Sequence, residues 1–359
     1  MKNWLKISLL SLAFLGHAMH AMITTAAIAV PFAIPAAKLY SYYHAAINFG
    51  KSFQPTLDNL KVFTLSPATA TDRKTLTPFE MCKAIQEGRR QELEGQYIKV
   101  NDKHYLLSLG IPKNAANIVV HSAGYDGPAG NAKLKHAWAG IEATNLLKNN
   151  LIPDNTPVVF YQAPVNYFST FSFGGEFAQK CLNFVVEQNI ENNPSASIAL
   201  SGDCVGATGV FNWLTNQNYT HDGKFKNIKA FFAESPSSSF APFADNVAQN
   251  HVPCGLRWTI PLIFKAAFPN CKWEQPTILD KASALPDHIQ YHIGYMPTDK
   301  AANPRDAQAI ANALQNAGKK IEVCSATDSS LSHGKLGLDA GYQQSVRTFL
   351  DKIAQAQQA

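Results

Sequence analysis

The chain has 359 residues, 46% of them hydrophobic and 16% charged, which suits one large α/β domain with accessory segments or two modest domains, with a substantial core. Its formal charge of +5 is spread along the chain without a basic cluster, which argues against a nucleic-acid partner. The six cysteines at positions 82, 181, 204, 254, 271 and 324 show no CxxC pair and no Cys/His spacing suited to zinc, so neither a metal nor another cofactor is expected.

Residues 1–21 read as a signal peptide or signal anchor: MKNWLK supplies two lysines, ISLLSLAFLG an apolar core, and Ala18 or Ala21 a small-residue exit. Residues 22–48 contain a second apolar stretch, Ile23 to Tyr43, a candidate membrane segment that Pro31 and Pro35 would kink. An exported protein, an N-terminal anchor and a two-segment membrane hairpin are the three readings, so the expected location is exported or membrane-anchored. Residues 49–95 are expected to hold an N-terminal connector, irregular and rich in Thr, Ser and Pro as far as residue 76, and then a short amphipathic helix in PFEMCKAIQEGRRQELEG.

Residues 96–359 read as one α/β domain. QYIKV and HYLLSL alternate around Asn101, Asp102 and Lys103, which predicts a β-hairpin. From Ala116 the texture changes to short apolar runs, NIVVHSAG, PVVFYQAP, SIALSGDC, IKAFFAESP, IQYHIGYMP and KKIEVCSA. They alternate with stretches of helical spacing such as GGEFAQKCLNFVVEQN and PRDAQAIANALQNAG, which predicts a mostly parallel central sheet with helices on both faces. Ligands bind beyond the carboxyl ends of the strands in such sheets. Between two of these strands, at about 236–285, lies a long aromatic-rich insertion, either a cap over the site or a packed excursion stapled by Trp258, Phe264 and Trp273. In an oxidising compartment its Cys254 and Cys271 are candidates for a disulfide, and a reactive thiol elsewhere in the chain would need shielding.

The chemistry points to SIALSGDCVGATGVFNWL, where Cys204 stands in a Gly-x-Cys-x-Gly box between a strand and a helix. A side chain at the tip of so sharp a turn leaves little room two residues either side, where Gly202 and Gly206 stand. The helix N-terminus aims free N–H groups at the sulfur and favours thiolate. A thiol nucleophile needs a base, and the base an orienting acid. His333, after the last strand, is the candidate base; Asp299, beyond the strand IQYHIGYM, is the first candidate acid, with Glu234 at the end of FFAESP as its rival. Asp306 is already explained by the helix whose first turn it occupies. Oxyanion donors are expected from the backbone of Val205 and of Ala123 and Gly124 in HSAGYDGPAG, while His121 and Asp126 also read as residues that only structure that turn through side-chain to backbone hydrogen bonds.

From about Tyr97 to Ala354 the sequence resembles the α/β-hydrolase superfamily, and its GDCVG box resembles the cysteine-bearing branch of dienelactone hydrolases and polyhydroxyalkanoate synthases. The resemblance implies the α/β-hydrolase fold with Cys204 as nucleophile, Asp299 as acid and His333 as base. Two departures stand: the acid loop GYMPTD is longer than the usual Gly-x-x-Asp form, and the oxyanion loop lacks the common His-Gly pair. The expected activity is hydrolysis of an ester, thioester or lactone through an acyl-enzyme, on a small-molecule or lipid-like acyl substrate. An acyltransferase using the same triad and an inactive hydrolase-fold binding module are the alternatives.

Overall fold

The computed structural model describes residues 57–69, 74–124, 138–162, 173–216, 223, 225–251, 254–259, 261, 271 and 277–356. The segments 1–21 and 22–48 expected to direct the chain to a membrane lie outside them. No helix among the described residues is long and apolar enough to cross a membrane.

In chain order the elements are strands β1 (Lys61–Ala68) and β2 (Thr75–Leu76), helix α1 (Pro78–Gln86), and strands β3 (Tyr97–Val100), β4 (Lys103–Leu109) and β5 (Asn117–Ser122). There follow α2 (Trp138–Lys148), β6 (Val158–Gln162), α3 (Glu176–Asn192), β7 (Ser197–Asp203), α4 (Val205–Leu214), β8 (Ile228–Glu234) and α5 (Phe240–His251). The last are α6 (Ile278–Lys281), β9 (Gln290–Tyr295), α7 (Pro304–Asn316), β10 (Ile321–Ser325) and α8 (Ala340–Ala356).

One ten-stranded sheet runs β10-β9-β8-β7-β5-β6-β1-β4-β3-β2. From β6 to β10 every pairing is parallel, and β1, β4 and β3 extend the sheet by antiparallel pairings. The expected hairpin is the β3–β4 pair, Val100 opposite Lys103. Successive strand residues supply opposite faces. Ile118, Val120, Ile198, Leu200 and Phe231 pack under α3, α4 and α7, while Val119, Val158, Phe160, Ala230 and Phe232 pack under α1, α2 and α8. Both faces are therefore dry, and each fully buried Leu or Phe contributes about 1.5–3 kcal/mol.

Several sequence expectations need correction. Residues 50–76 are not an irregular connector throughout, because β1 lies inside the sheet, antiparallel to both β6 and β4. Its Val62 joins one core and Phe63 and Leu65 the other, and Thr64 is buried as well, so the strand is covered on both sides. The sheet accordingly starts at Lys61 rather than at residue 96. In the insertion, Trp258 is 69% exposed; Phe264 and Trp273 lie outside the described residues. Cys254 is exposed, Cys271 is buried, and no disulfide joins them.

Local chemistry explains the element ends. At α1, Thr77 accepts from the Glu80 N–H at 3.2 Å and Glu80 accepts from the Thr77 N–H at 2.8 Å, a reciprocal cap with Pro78 following. At α7, Asn303 accepts from the Arg305 N–H at 3.0 Å and Pro304 opens the helix. These caps fix where α7 begins, and so where the loop after β9 must end.

Candidate active site

The turn from β7 into α4 holds Cys204 at φ 49° and ψ −113°, a conformation that costs an L-residue about 1–3 kcal/mol. The surroundings enforce it. The Cys204 N–H donates to the Glu234 carbonyl at 2.8 Å, and the Thr208 N–H to the Cys204 carbonyl at 3.1 Å. A β-carbon on Gly202 would stand 2.6 Å from the Ala207 α-carbon, and one on Gly206 would collide with the carbonyl oxygens of Ser122 and Ala123. Both elbow glycines are thus required by close approach, as their placement in the box predicts.

Asp299 and His333 arrive from the loops after β9 and β10. The His333 Nδ1–H donates to Asp299 Oδ2 at 2.8 Å. The other Asp299 oxygen accepts from the Ala301 and Ala302 N–H groups at 2.8 and 3.0 Å, which locks the carboxylate. His333 and Cys204 are close enough for each to shift the other's titration, so the sulfur, the ring and the carboxylate are neighbours. Glu234 is not in that set, because its Oε1 accepts from the Leu336 N–H at 3.0 Å. The His333 loop is shaped by Asp339, whose carboxylate accepts from the N–H groups of Thr327, Asp328 and Tyr342 at 2.8–2.9 Å.

Burial pushes the Cys204 thiol above its ordinary value, outweighing the charge of His333 that pulls it down. The expectation of a thiol lowered by the helix dipole is therefore corrected: desolvation of a sulfur only 3% exposed wins. For His333 desolvation acts downward, but the charge of Cys204 and the hydrogen bond with Asp299 outweigh it and hold the imidazolium well above its usual range. The proton leaving the sulfur has a prepared place on the ring.

Val205 opens α4, so its N–H lies outside the helix's own ladder, and the Ala123 backbone packs directly on the elbow at Gly206. Gly124 departs from expectation. Its N–H donates to Glu142 Oε2 at 2.9 Å and so is already engaged. The same oxygen faces His121 Nε2 at 3.0 Å, and His121 Nδ1 lies 3.1 Å from Ser201 Oγ. Burial pushes His121 down to about 3, so the ring is neutral and bonds its carboxylate as a donor rather than as a cation. Asp126 lies outside the described residues.

Sequence reasoning missed Glu142, Asp203 and Asp339. Asp203 was visible beside Cys204, but Glu142 looks like any polar residue of a helix until the fold sets it against His121. It also explained Asp306 too simply. That carboxylate is buried and accepts from the Ser238 N–H and Oγ–H, both at 2.6 Å, tying the start of the insertion to α7. Thr208 on α4 donates to the Ser237 carbonyl at 2.7 Å, and Asn246 on α5 to the Ala301 carbonyl at 3.0 Å. The insertion therefore runs across the elbow helix and the acid loop. The Phe173 ring is tilted against those of Phe240 and Phe243, with centroids 5.3 and 5.2 Å away, an apolar cluster on the insertion's side of α4.

Strand order, the elbow after β7, and an acid and a histidine after the next strands in that chain order make the α/β-hydrolase fold. No protein-family profile matches the sequence, and no curated protein does. Among solved structures the chain is similar to an acylaminoacyl peptidase of Pyrococcus horikoshii, with 14% identity over 68% of this chain and 38% of that one and a TM-score of 0.44. It is also similar to esterase B of Lactobacillus rhamnosis, with 10% identity over 95% and 98% of the two chains and a TM-score of 0.47. A thermostable esterase of Pseudomonas putida gives 12% identity over 86% and 95% and the same TM-score.

Proposed function

We propose that the protein is a hydrolase of carboxylic esters, thioesters or lactones that works through Cys204, His333 and Asp299. The observation that supports this reading is the His333–Asp299 hydrogen bond set beside a strained, buried Cys204. In this reading the Cys204 proton passes to His333 as sulfur attacks the carbonyl carbon, and Asp299 holds the ring and balances its charge. The oxyanion is met by the Val205 N–H and by the Ala123 backbone at the end of β5. His333 returns its proton to the leaving group, which departs and leaves a thioester on Cys204. The same ring then takes a proton from water, hydroxide adds to the thioester, and the acid leaves as sulfur regains its proton.

The aromatic cluster of Phe173, Phe240 and Phe243 supports an acyl group of lipid-like character. The lysines and apolar runs before residue 48 support export or anchoring through the N-terminus. The test is hydrolysis of short and medium p-nitrophenyl esters, together with labelling by a thiol-reactive acyl probe, in wild type, Cys204→Ala and His333→Ala. Turnover and labelling lost in both variants support the reading. Product transferred to added glycerol or a small thiol would make it an acyltransferase, and equal behaviour of all three proteins would leave a binding module.

A further inference from the structure

Behind the nucleophile lies a set of carboxyl groups that the proposed reaction does not use. Asp203 immediately precedes Cys204 at the end of β7, and Glu142 projects from α2. The two meet beside Gly124: a β-carbon placed there would stand 3.2 Å from Glu142 Oε1 and 3.3 Å from Asp203 Oδ2. Glu142 Oε1 and Asp203 Oδ1 are both buried there, and no backbone or side-chain donor among the described residues reaches the Asp203 oxygen. Two carboxylates converging in one buried site repel when both are ionised, and ionised carboxylates only accept, so a proton held by one of them is what lets the pair close. The other Glu142 oxygen is the one that holds the Gly124 N–H and the His121 ring.

We propose that Asp203 and Glu142 form one proton-sharing pair, which fixes the end of β5 against the nucleophile turn and keeps a negative charge away from the sulfur. Both are positioning residues for Cys204, and the inference rests on the reading of Cys204 as the reacting sulfur. The groups that face the pair are His121 on β5, Cys204 itself, Glu234 at the end of β8, Asp299 and His333 from the two following loops, and Tyr342 on α8. Burial, then the charges of its neighbours, pushes Asp203 well above the ordinary carboxylate range, with Glu142 the foremost of those neighbours. Below that titration Asp203 is neutral and donates to Glu142. Above it the pair bears two like charges, its bond breaks, and the new charge on Asp203 opposes thiolate formation next door.

The test reads the sulfur without any substrate, so it fails separately from the hydrolase assay. The rate of Cys204 alkylation by iodoacetamide is followed from pH 5 to 10 on the full chain by peptide mass mapping, in wild type, Asp203→Asn and Glu142→Gln. An asparagine at 203 donates to Glu142 at every pH, and a glutamine at 142 still accepts from Gly124 and His121. For Asp203→Asn the profile is expected to sharpen to a single titration and move to lower pH, with labelling at pH 7 up by about tenfold per unit of displacement, whereas Glu142→Gln, which leaves Asp203 charged beside the sulfur, is expected to move it to higher pH. Profiles that coincide with wild type in both folded variants would overturn the proposal. So would unfolding of both variants, because each retains the hydrogen bond that the pair is said to supply.

Discussion

Two histidines flank the elbow, each at the carboxyl-terminal edge of the sheet and each hydrogen-bonded to a carboxylate, yet they are driven in opposite directions. His333 meets Asp299 at 2.8 Å, keeps a side chain 28% exposed, and is pushed up. His121 meets Glu142 at 3.0 Å, is 2% exposed, and is pushed down to about 3. The difference lies in what else each ring touches. His333 has the Cys204 sulfur as a second partner whose charge rises when its own does, whereas His121 has only the neutral hydroxyl of Ser201. A carboxylate neighbour alone does not make a buried imidazole basic; the second neighbour and access to solvent decide.

The sharpest break of the contrast comes from Cys204→Ala, expected to lower ester turnover by about 10⁴-fold or more, since members of a triad act as a unit. Asp299→Asn should cost roughly 10²–10⁴-fold in kcat by loosening the ring and its tautomer. Glu234→Gln should cost under about tenfold, because the amide still accepts from Leu336. A larger loss in the Glu234 variant than in the Asp299 variant, measured with one p-nitrophenyl ester, would reverse the assignment of the acid.

Acid should separate the two rings by stability. Between pH 6.5 and about 3 the unfolded chain binds a proton at residue 121 that the folded chain refuses, so His121 contributes stability that falls as pH falls. His333, pushed upward, contributes in the opposite sense: its share is complete below pH 6.5 and is lost as pH rises through its folded value. Urea unfolding at pH 7 and 4.5 should show His121→Gln losing about 2–3 kcal/mol less than wild type over that interval. The comparison with wild type isolates this from Asp203 and Glu234, whose raised values slope the other way. An equal loss in both proteins would mean that His121 takes up its proton without unfolding. The smallest effect belongs to Ser201→Ala, expected to destabilise by about 1 kcal/mol with turnover unchanged.

The core strands and the set of Cys204, Asp299 and His333 were legible because each sits where the chain changes state, at the junction of a strand with a turn. Those junctions leave marks in local composition: glycines at 202 and 206, Asn303-Pro304 before α7, and His333 after the last apolar run. β1 was illegible because its alternation at Phe63, Thr64, Leu65 and Ser66 is short and Thr, Ser and Pro67 in and around it suggest a loop. The Glu142, Asp203 and Gly124 contacts were illegible for a different reason. They join α2, β7 and the end of β5, residues 18 and 61 positions apart in the sequence, and only the crossover of the sheet makes them neighbours. The engaged Gly124 N–H is the clearest case, since a glycine-rich loop reads as an empty cradle whether or not another group already fills it.

The left-handed backbone at Cys204 has one more consequence. The hinge is imposed by contacts of Gly202, Gly206 and the two neighbouring strands, none of which involves sulfur. Oxygen can therefore be exchanged for sulfur at position 204 on an unchanged scaffold. Cys204→Ser becomes an atom-for-atom replacement in which geometry is held constant and nucleophilicity, polarizability and acidity alone are varied.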